Sequence, residues 1–252
     1  MIAALLDEGA TKAGDRYVNF LLSLRSVLNS SLKVRAEDAR AFAAIRSGAY
    51  EVAQVFLDAE LEHLEVALED ARERALELAR DEVLSDDPTT EIAVTDYLEE
   101  LLTWFRMELR SQIERDVNVL IAKRRELALA AATSAWSRGR DVQAAFENLI
   151  ASGREKVDFY FTDRSGRRYP AQKFYRQLFR HAALTFAVET FVMEVAAFGV
   201  DTVFVAHPDH NNSFHGEAVS LVGDANVLSL ADIRDDVFHP NSNAFLTTIK
   251  PT

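Results

Sequence analysis

Residues 57–78 read LDAELEHLEVALEDARERALEL. Apolar side chains recur in this stretch in alternating steps of four and three residues, which is the heptad spacing of helices that pack along a narrow seam. The seam consists of Leu57, Leu61, Leu64, Leu68, Ala71, Ala75 and Leu78. Acidic residues and arginines occupy most of the other positions. The stretch therefore predicts a long amphipathic helix, extending over about 36–84, although Gly48 could bend it or end a shorter helix.

Helices of the same kind are predicted on both sides of this one, at about 2–29 and 89–137. The sequence SDDPTT at 85–90 separates the second helix from the third, with Asp87 as a candidate N-cap and Pro88 as the first helical residue. A short connection between two long amphipathic helices predicts an antiparallel hairpin. Because each apolar stripe is narrow, it must be buried either within the chain or against a second chain, and the pattern leaves both open.

The residue pattern changes after a short predicted helix at 141–152. An aromatic, β-rich stretch predicts a hairpin, which is followed by an amphipathic helix that ends before Gly199. The hairpin strands are predicted at 157–163 and 168–171, the helix at 171–198, and further strands at 201–206, 217–222 and 243–250. The predicted fold class is therefore α+β: an elongated helical hairpin or bundle at 1–151, and a small, mostly antiparallel α+β domain at 152–252.

Composition limits the functions that the chain could have. It has 252 residues, a formal net charge of -12 and no cysteine, which excludes disulfides, thiolate catalysis and Cys-ligated zinc. The acidic balance repels nucleic acid phosphates, so the expected partners are proteins, and DNA is expected only by proximity. No apolar run approaches the roughly 20 residues that span a bilayer, and no membrane association is expected. Phosphate-loop, nucleophile-elbow and dinucleotide motifs are missing as well.

Histidine is concentrated near the end of the chain, at His207, His210, His215 and His239. The loop at 207–216 reads HPDHNNSFHG. Its imidazoles could bind zinc or a similar metal together with Asp209, and His239 is a further candidate ligand. Such a centre could hydrolyse a substrate if it kept an open coordination position. The spacing matches no strong metal motif, so hydrogen bonds to the loop backbone are the favoured interpretation, and no metal or other cofactor is expected.

Basic residues cluster within the predicted hairpin and the helix after it, at Arg164, Arg167, Arg168, Lys173, Arg176 and Arg180. Aromatic residues are interleaved with them, at Tyr160, Tyr169, Phe174 and Tyr175. Bases can stack on such rings while arginines bind phosphate, so this patch is a candidate interaction surface for nucleic acid. An acidic protein is an intermediate alternative. The favoured interpretation is a solvated face whose arginines are paired with acids.

Short motifs follow one another in a distinctive order over about 157–249. A strand ends at Asp163 before a turn that contains Gly166, and Arg180 lies near the centre of the next helix. The pair HG at 215–216 precedes VSLVG at 219–223, and FHPN stands at 238–241. This order resembles the C-terminal domain of phage minor capsid proteins, the head-morphogenesis group that includes the Mu F-like proteins. The residues expected to form its structural corners are His215, Gly216, His239, Pro240 and Asn241.

The resemblance implies a structural protein of a tailed-phage virion, and not an enzyme. Such proteins are present in few copies in the capsid interior or at the portal vertex, and they aid head assembly or genome delivery. The implied partners are the portal protein, the major capsid protein or both, with self-association as a further expectation. The chain departs from the family pattern at Ser242, where the family has cysteine, at Asn243, and at His181, where the family has threonine after the helix arginine. His207, His215 and His239 are then expected to brace the sheet and its loops through hydrogen bonds. A metal-dependent hydrolase that uses the 207–215 loop is the alternative.

Overall fold

A computed structural model describes residues 2–83, 91–163, 165–223, 227–239 and 241–251, with the side chains of 91–96 and 235 excepted. The structure is 70% helical, with long N-terminal helices followed by a smaller region that contains the sheets. This confirms the predicted α+β class. The predicted cap at Asp87 and Pro88 lies outside the described residues.

Six helices and six short strands make up the described part of the chain. The helices are α1 (Ile2–Ser31), α2 (Ala39–Val83), α3 (Glu91–Arg138), α4 (Val142–Ala151), α5 (Ala171–Ala197) and α6 (Leu230–Val237). The strands are β1 (Tyr160–Thr162), β2 (Arg168–Pro170), β3 (Thr202–Ala206), β4 (Ala218–Ser220), β5 (Leu228–Ser229) and β6 (Phe245–Thr247). Gly48 lies inside α2, which continues on both sides of it. None of the helices in the described ranges is both long and apolar enough to cross a membrane.

Apolar stripes form the buried faces of the long helices, and the stripe of α2 is the seam predicted from the sequence. On α2 the seam is buried from Leu57 to Ala75, and the next buried position is Ala79, whereas Leu78 is half-buried. This shift is expected because a straight helix has 3.6 residues per turn and drifts away from a 3.5-residue repeat. The buried apolar positions of α1 and α3 include Tyr17, Phe20, Leu24, Leu28, Phe105, Leu109, Ile113, Val117 and Leu120.

The chain packs as two units, each made of separate stretches. Unit 1 comprises Met1–Ala13, Leu61–Phe105 and Arg176–Thr252, and unit 2 comprises Gly14–Glu60 and Arg106–Tyr175. Both units draw residues from both sides of the predicted boundary at 151/152. The division into a helical domain at 1–151 and a second domain at 152–252 therefore stays a prediction.

Unit 2 shows how the long helices run. The Phe20 ring on α1 stacks on the Phe56 ring on α2, and the Arg16 side chain, one turn earlier on α1, pairs with Glu60, one turn later on α2. These two helices are therefore antiparallel. Tyr17 bonds Asp116 on α3, and Arg124, two turns further along α3, bonds the Arg35 carbonyl beyond the end of α1. Since α1 and α3 run the same way, α2 and α3 are antiparallel in this unit, as the predicted hairpin requires.

The sheets are small. In unit 1 four strands lie in the order β5-β4-β3-β6, with β3 antiparallel to both of its neighbours and β4 parallel to β5. In unit 2, β1 and β2 form an antiparallel hairpin that pairs Phe161 with Tyr169. The sheet is mostly antiparallel, as predicted. Strand β5 and helix α6 were not predicted.

Candidate functional site

The helix arginine that carries part of the family resemblance is buried in unit 1. Arg180 on α5 is 6% exposed, and its Nε donates to the Asp7 carboxylate at 2.7 Å. Nη1 donates to the Ser242 carbonyl at 2.5 Å, and Nη2 to the Asn243 side-chain oxygen at 2.6 Å. We call these four residues the Arg180 anchor. They tie α1 and the segment before β6 to the middle of α5.

This placement corrects the expectation for Arg180. The sequence placed it in a basic surface patch, but its guanidinium faces the interior and three acceptors use its donors. A buried guanidinium is tolerated when its nitrogens are hydrogen-bonded and an acid balances its charge, and the Arg180 anchor gives each nitrogen an acceptor and supplies the Asp7 carboxylate. Arg176, one turn earlier on α5, is exposed.

In the HPN corner, residues 239 and 241–243, side chains accept hydrogen bonds from backbone N–H groups. The Asn241 backbone N–H donates to His239 Nδ1 at 3.2 Å, and the Ala244 N–H donates to the buried Ser242 hydroxyl at 3.0 Å. Gln177 on α5 donates to the Asn241 side-chain oxygen at 2.8 Å. Pro240 lies outside the described residues. The side-chain hydroxyl of Ser242, which stands where the family it resembles has cysteine, therefore accepts a backbone hydrogen bond in the turn that leads to β6.

The histidine loop between β3 and β4 is organised in the same way. The backbone N–H of His207 donates to His215 Nδ1 at 3.1 Å, and that of Asp209 donates to His207 Nδ1 at 3.0 Å. The His210 and His215 rings lie 4.5 Å apart. Gly216, with a φ of 78°, donates its N–H to the Val205 carbonyl at 2.8 Å. Backbone donors thus occupy one ring nitrogen each of His207 and His215, which leaves Nε2 of each ring for any other partner.

The candidate metal ligands were His207, Asp209, His210, His215 and His239. Across the described ranges, no group of three or more His, Cys, Asp or Glu side chains is placed to hold a metal ion. The Asp209 carboxylate accepts the Asn211 N–H at 3.0 Å and so caps the loop. His207, Asp209 and His215 accept backbone hydrogen bonds that stabilise the loop.

The basic hairpin in unit 2 is partly neutralised. Hydrogen bonds from the Ser165 side chain, and then from the Arg167 backbone and guanidinium, lower the pKa of Asp163 to about 2. The Arg168 guanidinium lies 4.2 Å from the Tyr160 ring centroid, and the Lys173 ammonium lies 5.7 Å from that of Tyr169. Arg164 lies outside the described residues. Of the predicted patch, the structure brings Arg167, Arg168 and Lys173 together around the hairpin.

A groove of about 470 Å³ lies between α1 and this hairpin. Arg25 and Arg168 flank it, and Leu21, Leu22 and Phe159 supply apolar walls. The Arg25 guanidinium donates to the Val157 carbonyl at 3.0 Å, which holds the chain next to β1. Sequence reasoning missed Arg25 because it stands far from the patch in sequence.

A buried tyrosine–carboxylate cluster, Tyr17, Glu60, Asp116 and Tyr175, was also missed. The Tyr17 hydroxyl donates to Asp116 and the Tyr175 hydroxyl donates to Glu60, each at 2.5 Å, and the two rings stack at 4.8 Å. Arg16 pairs with Glu60. Burial raises the pKa of Asp116 to about 7, although hydrogen bonds from Tyr17 and Gln112 partly oppose this shift. Asp116 can therefore gain or lose a proton near neutral pH, which is unusual for an aspartate.

Comparison of the chain with protein-family models, with curated proteins and with solved structures found no match. The resemblance to phage minor capsid proteins therefore depends on the order of the C-terminal motifs alone.

Proposed function

We propose that this chain is a minor capsid protein of a tailed-phage head. It acts as a structural part without catalysing a reaction, associated with the portal or the capsid interior, and aids head assembly or genome delivery. The observation that supports the proposal most is the Arg180 anchor. The helix arginine of the motif order donates to Ser242 and Asn243, the two residues that directly follow the FHPN motif in the chain.

The long helices suit a protein that contacts other subunits. In unit 2, α3 carries Met107 and Leu129 with 67% and 70% of their surfaces exposed. Large exposed apolar side chains beside a well-filled core are available to a partner protein. We propose the portal protein or the major capsid protein as that partner, with self-association as a further option, and the virion as the location.

The composition of purified particles tests the proposal. Particles from the phage or prophage that encodes the chain are purified and analysed by quantitative mass spectrometry before and after DNA release. We expect the chain to be present at far fewer copies than the major capsid protein, and to cross-link to portal or capsid subunits. Intact, infectious particles that lack the chain would overturn the proposal.

Complementation connects the Arg180 anchor to this role. A phage with the gene deleted is supplied with the wild-type chain, Arg180→Met or Arg176→Met, and particle yield is counted. Both variants remove one arginine from α5, but only the first breaks the anchor, so we expect Arg176→Met to restore the yield and Arg180→Met to fail. Thermal unfolding of both purified variants distinguishes a failure to assemble from a failure to fold.

The metal-dependent hydrolase is the weaker candidate, because its support is limited to the close approach of His210 and His215. Elemental analysis of the folded, purified protein separates the two functions. Zinc or a similar metal bound in stoichiometric amount, and lost in a His210→Ala, His215→Ala double variant, would favour the hydrolase. Metal-free folded protein would exclude it.

A further inference from the structure

Unit 2 contains a second, larger groove, between the last turns of α3 and helix α4. Its volume is about 850 Å³. Arginines Arg138, Arg140 and Arg154 line it together with Leu129 and Leu149. Neither the predicted basic patch nor the family resemblance includes any of these residues.

The three arginines of this α3–α4 groove are not neutralised within the chain. All three are exposed, and none of their guanidinium groups has a hydrogen-bond or ion-pair partner among the residues that the structure describes. Glu126 also lines the groove, but its carboxylate binds the Lys123 ammonium at 3.1 Å. The chain has 40 acidic residues and 28 lysines and arginines, so partners of opposite charge are plentiful elsewhere. The groove is therefore a local positive site on an acidic protein.

Two exposed apolar side chains lie on α3, and one of them, Leu129, lines the groove. Leu129 is 70% exposed and Trp136 is 89% exposed. They stand seven residues apart on α3, so they share one face over about 10 Å, or two helical turns. Tryptophan is among the residues that contribute most to binding at protein interfaces. Leu129 and Trp136 provide an apolar part and the three arginines a positively charged part, so the surface is amphipathic.

The hydroxyl groups of the groove help to choose between ligands. Thr133 donates to the Leu129 carbonyl, Ser137 to the Ser134 carbonyl and Ser152 to the Leu149 carbonyl. These three protons are used within the helices, and the guanidinium groups are the charged donors of the groove. A phosphodiester backbone would bind the arginines but would leave Leu129 uncovered, and the net charge of -12 opposes its approach. A helix with acids on one face and leucines on the other satisfies both parts of the surface.

We propose that the α3–α4 groove binds an acidic amphipathic helix of a partner protein, with its carboxylates on Arg138, Arg140 and Arg154 and its apolar face on Leu129 and Trp136. The inference does not depend on the proposed function, because it requires only a partner of this chemistry. Absence of the chain from phage particles would overturn the proposed function and leave this inference in place.

The experiment uses the full chain carrying Trp104→Phe, so that Trp136 becomes the single tryptophan. The probe is a helical peptide of about 18 residues, five turns, with glutamate on one face and leucine on the other. A second peptide has glutamine in place of glutamate, and a single-stranded DNA of similar length is the third ligand. We expect the glutamate peptide to bind and to shift the Trp136 emission to shorter wavelength.

Two triple variants test the arginines. Arg138→Ala, Arg140→Ala, Arg154→Ala removes the three that line the groove, while Arg106→Ala, Arg110→Ala, Arg125→Ala removes three exposed arginines from α3 outside it. Both change the net charge equally. We expect the groove variant to weaken peptide binding by about tenfold and the control by less than about twofold. Circular dichroism verifies that both variants fold.

Several results would overturn the inference. One is that the glutamine peptide binds as tightly as the glutamate peptide, which would leave the arginines without a role. Another is equal binding by the two triple variants. Tighter binding of the DNA, lost in the groove variant, would assign the groove to nucleic acid. A concentration-dependent dimer that the groove variant abolishes would assign it to a second copy of the chain.

Discussion

Each unit buries an arginine, and the two arginines have different partners. In unit 2, Arg124 is fully buried between the rings of Phe42 and Phe146, and it donates to the carbonyls of Arg35 and Ala36. In unit 1, Arg180 donates to the Asp7 carboxylate as well as to neutral acceptors. The first guanidinium is thus held by neutral groups, and the second by an opposite charge.

Two buried acids, Asp116 and Glu194, show the same contrast, whereas buried Glu60 in unit 2 is paired with Arg16. Asp116 in unit 2 accepts hydrogen bonds from the neutral Tyr17 hydroxyl and Gln112 amide. Glu194 in unit 1 is fully buried and accepts from the Arg80 guanidinium at 3.1 Å. A buried ion whose partners are neutral keeps much of its desolvation penalty, so replacing it with a neutral residue can recover that free energy. When one member of a buried ion pair is removed, its partner is left as an uncompensated charge.

The largest expected effect is the pH dependence that Asp116 gives to unit 2. The folded protein keeps the Asp116 proton up to about pH 7, whereas the unfolded chain releases it near the usual value of 3.8. The folded state therefore binds more protons between these values, and the free energy of unfolding falls as pH rises through them, by on the order of 4 kcal/mol. Asp116→Asn should remove this component.

Urea unfolding at a series of pH values measures this effect. Glu114→Gln is the control, because it removes an exposed carboxyl from the same helix. If Asp116→Asn and the wild type show the same slope between pH 4 and 7, the desolvation of Asp116 is not the source, and the contrast between Asp116 and Glu194 is lost.

Next in size is the loss of the Arg180 anchor. Arg180→Met fills similar space, but it leaves the Ser242 carbonyl and the Asn243 side chain without their donor and Asp7 without its cation. We expect the free energy of unfolding to fall by about 3 kcal/mol. Arg176→Met, on the exposed face of the same helix, should change it by less than about 0.5 kcal/mol. If the free energy of unfolding of Arg180→Met fell as little as that of Arg176→Met, Arg180 would contribute no more to stability than a surface residue.

Arg124→Met sharpens the comparison of the two arginines. The methionine can still pack against Phe42 and Phe146, and it removes a charge that has no carboxylate among its hydrogen-bond partners. It also leaves the carbonyls of Arg35 and Ala36 without their donor. Because these effects oppose one another, we expect a change within about 1 kcal/mol of the wild type. Chemical denaturation measures it beside Arg180→Met. A loss at Arg124 equal to that at Arg180 would mean that the counter-ion does not explain the difference.

The sequence predicted the helices and their buried faces well, because heptad spacing and helix-forming residues act locally. It also predicted five of the six strands. Strand β5 is two residues long and is held by its pairing with β4, a tertiary contact that no local pattern reports. A signal for α6 was present: Ser229 and Asp232 have the spacing of a capping box, and the structure contains that box.

The burial of Arg124 and Asp116 was not predicted, because their helical positions indicate burial whereas their charges indicate exposure to solvent. Arg124 falls four residues after Leu120 and three before Leu127, on the apolar stripe of α3. Asp116 falls on the same stripe, between Ile113 and Leu120. Periodicity alone indicates buried positions for both, whereas the preference of charged residues for water indicates exposed ones. The partners that resolve this conflict, Tyr17 and the carbonyls beyond α1, stand about 90 to 100 residues away in sequence.

The smallest expected effect belongs to ion pairs on the surface. Arg74 and Glu77 form an i,i+3 pair on α2, and both side chains are exposed to solvent. Water screens both charges whether or not they meet, so Arg74→Ala should change the free energy of unfolding by less than about 0.5 kcal/mol, and the helix propensity of alanine offsets part of that. Chemical denaturation measures this variant beside Arg180→Met. If Arg74→Ala cost as much as Arg180→Met, pairing with an opposite charge would be stabilising wherever it occurs, and burial would not be the property that separates the Arg180 anchor from the surface pairs.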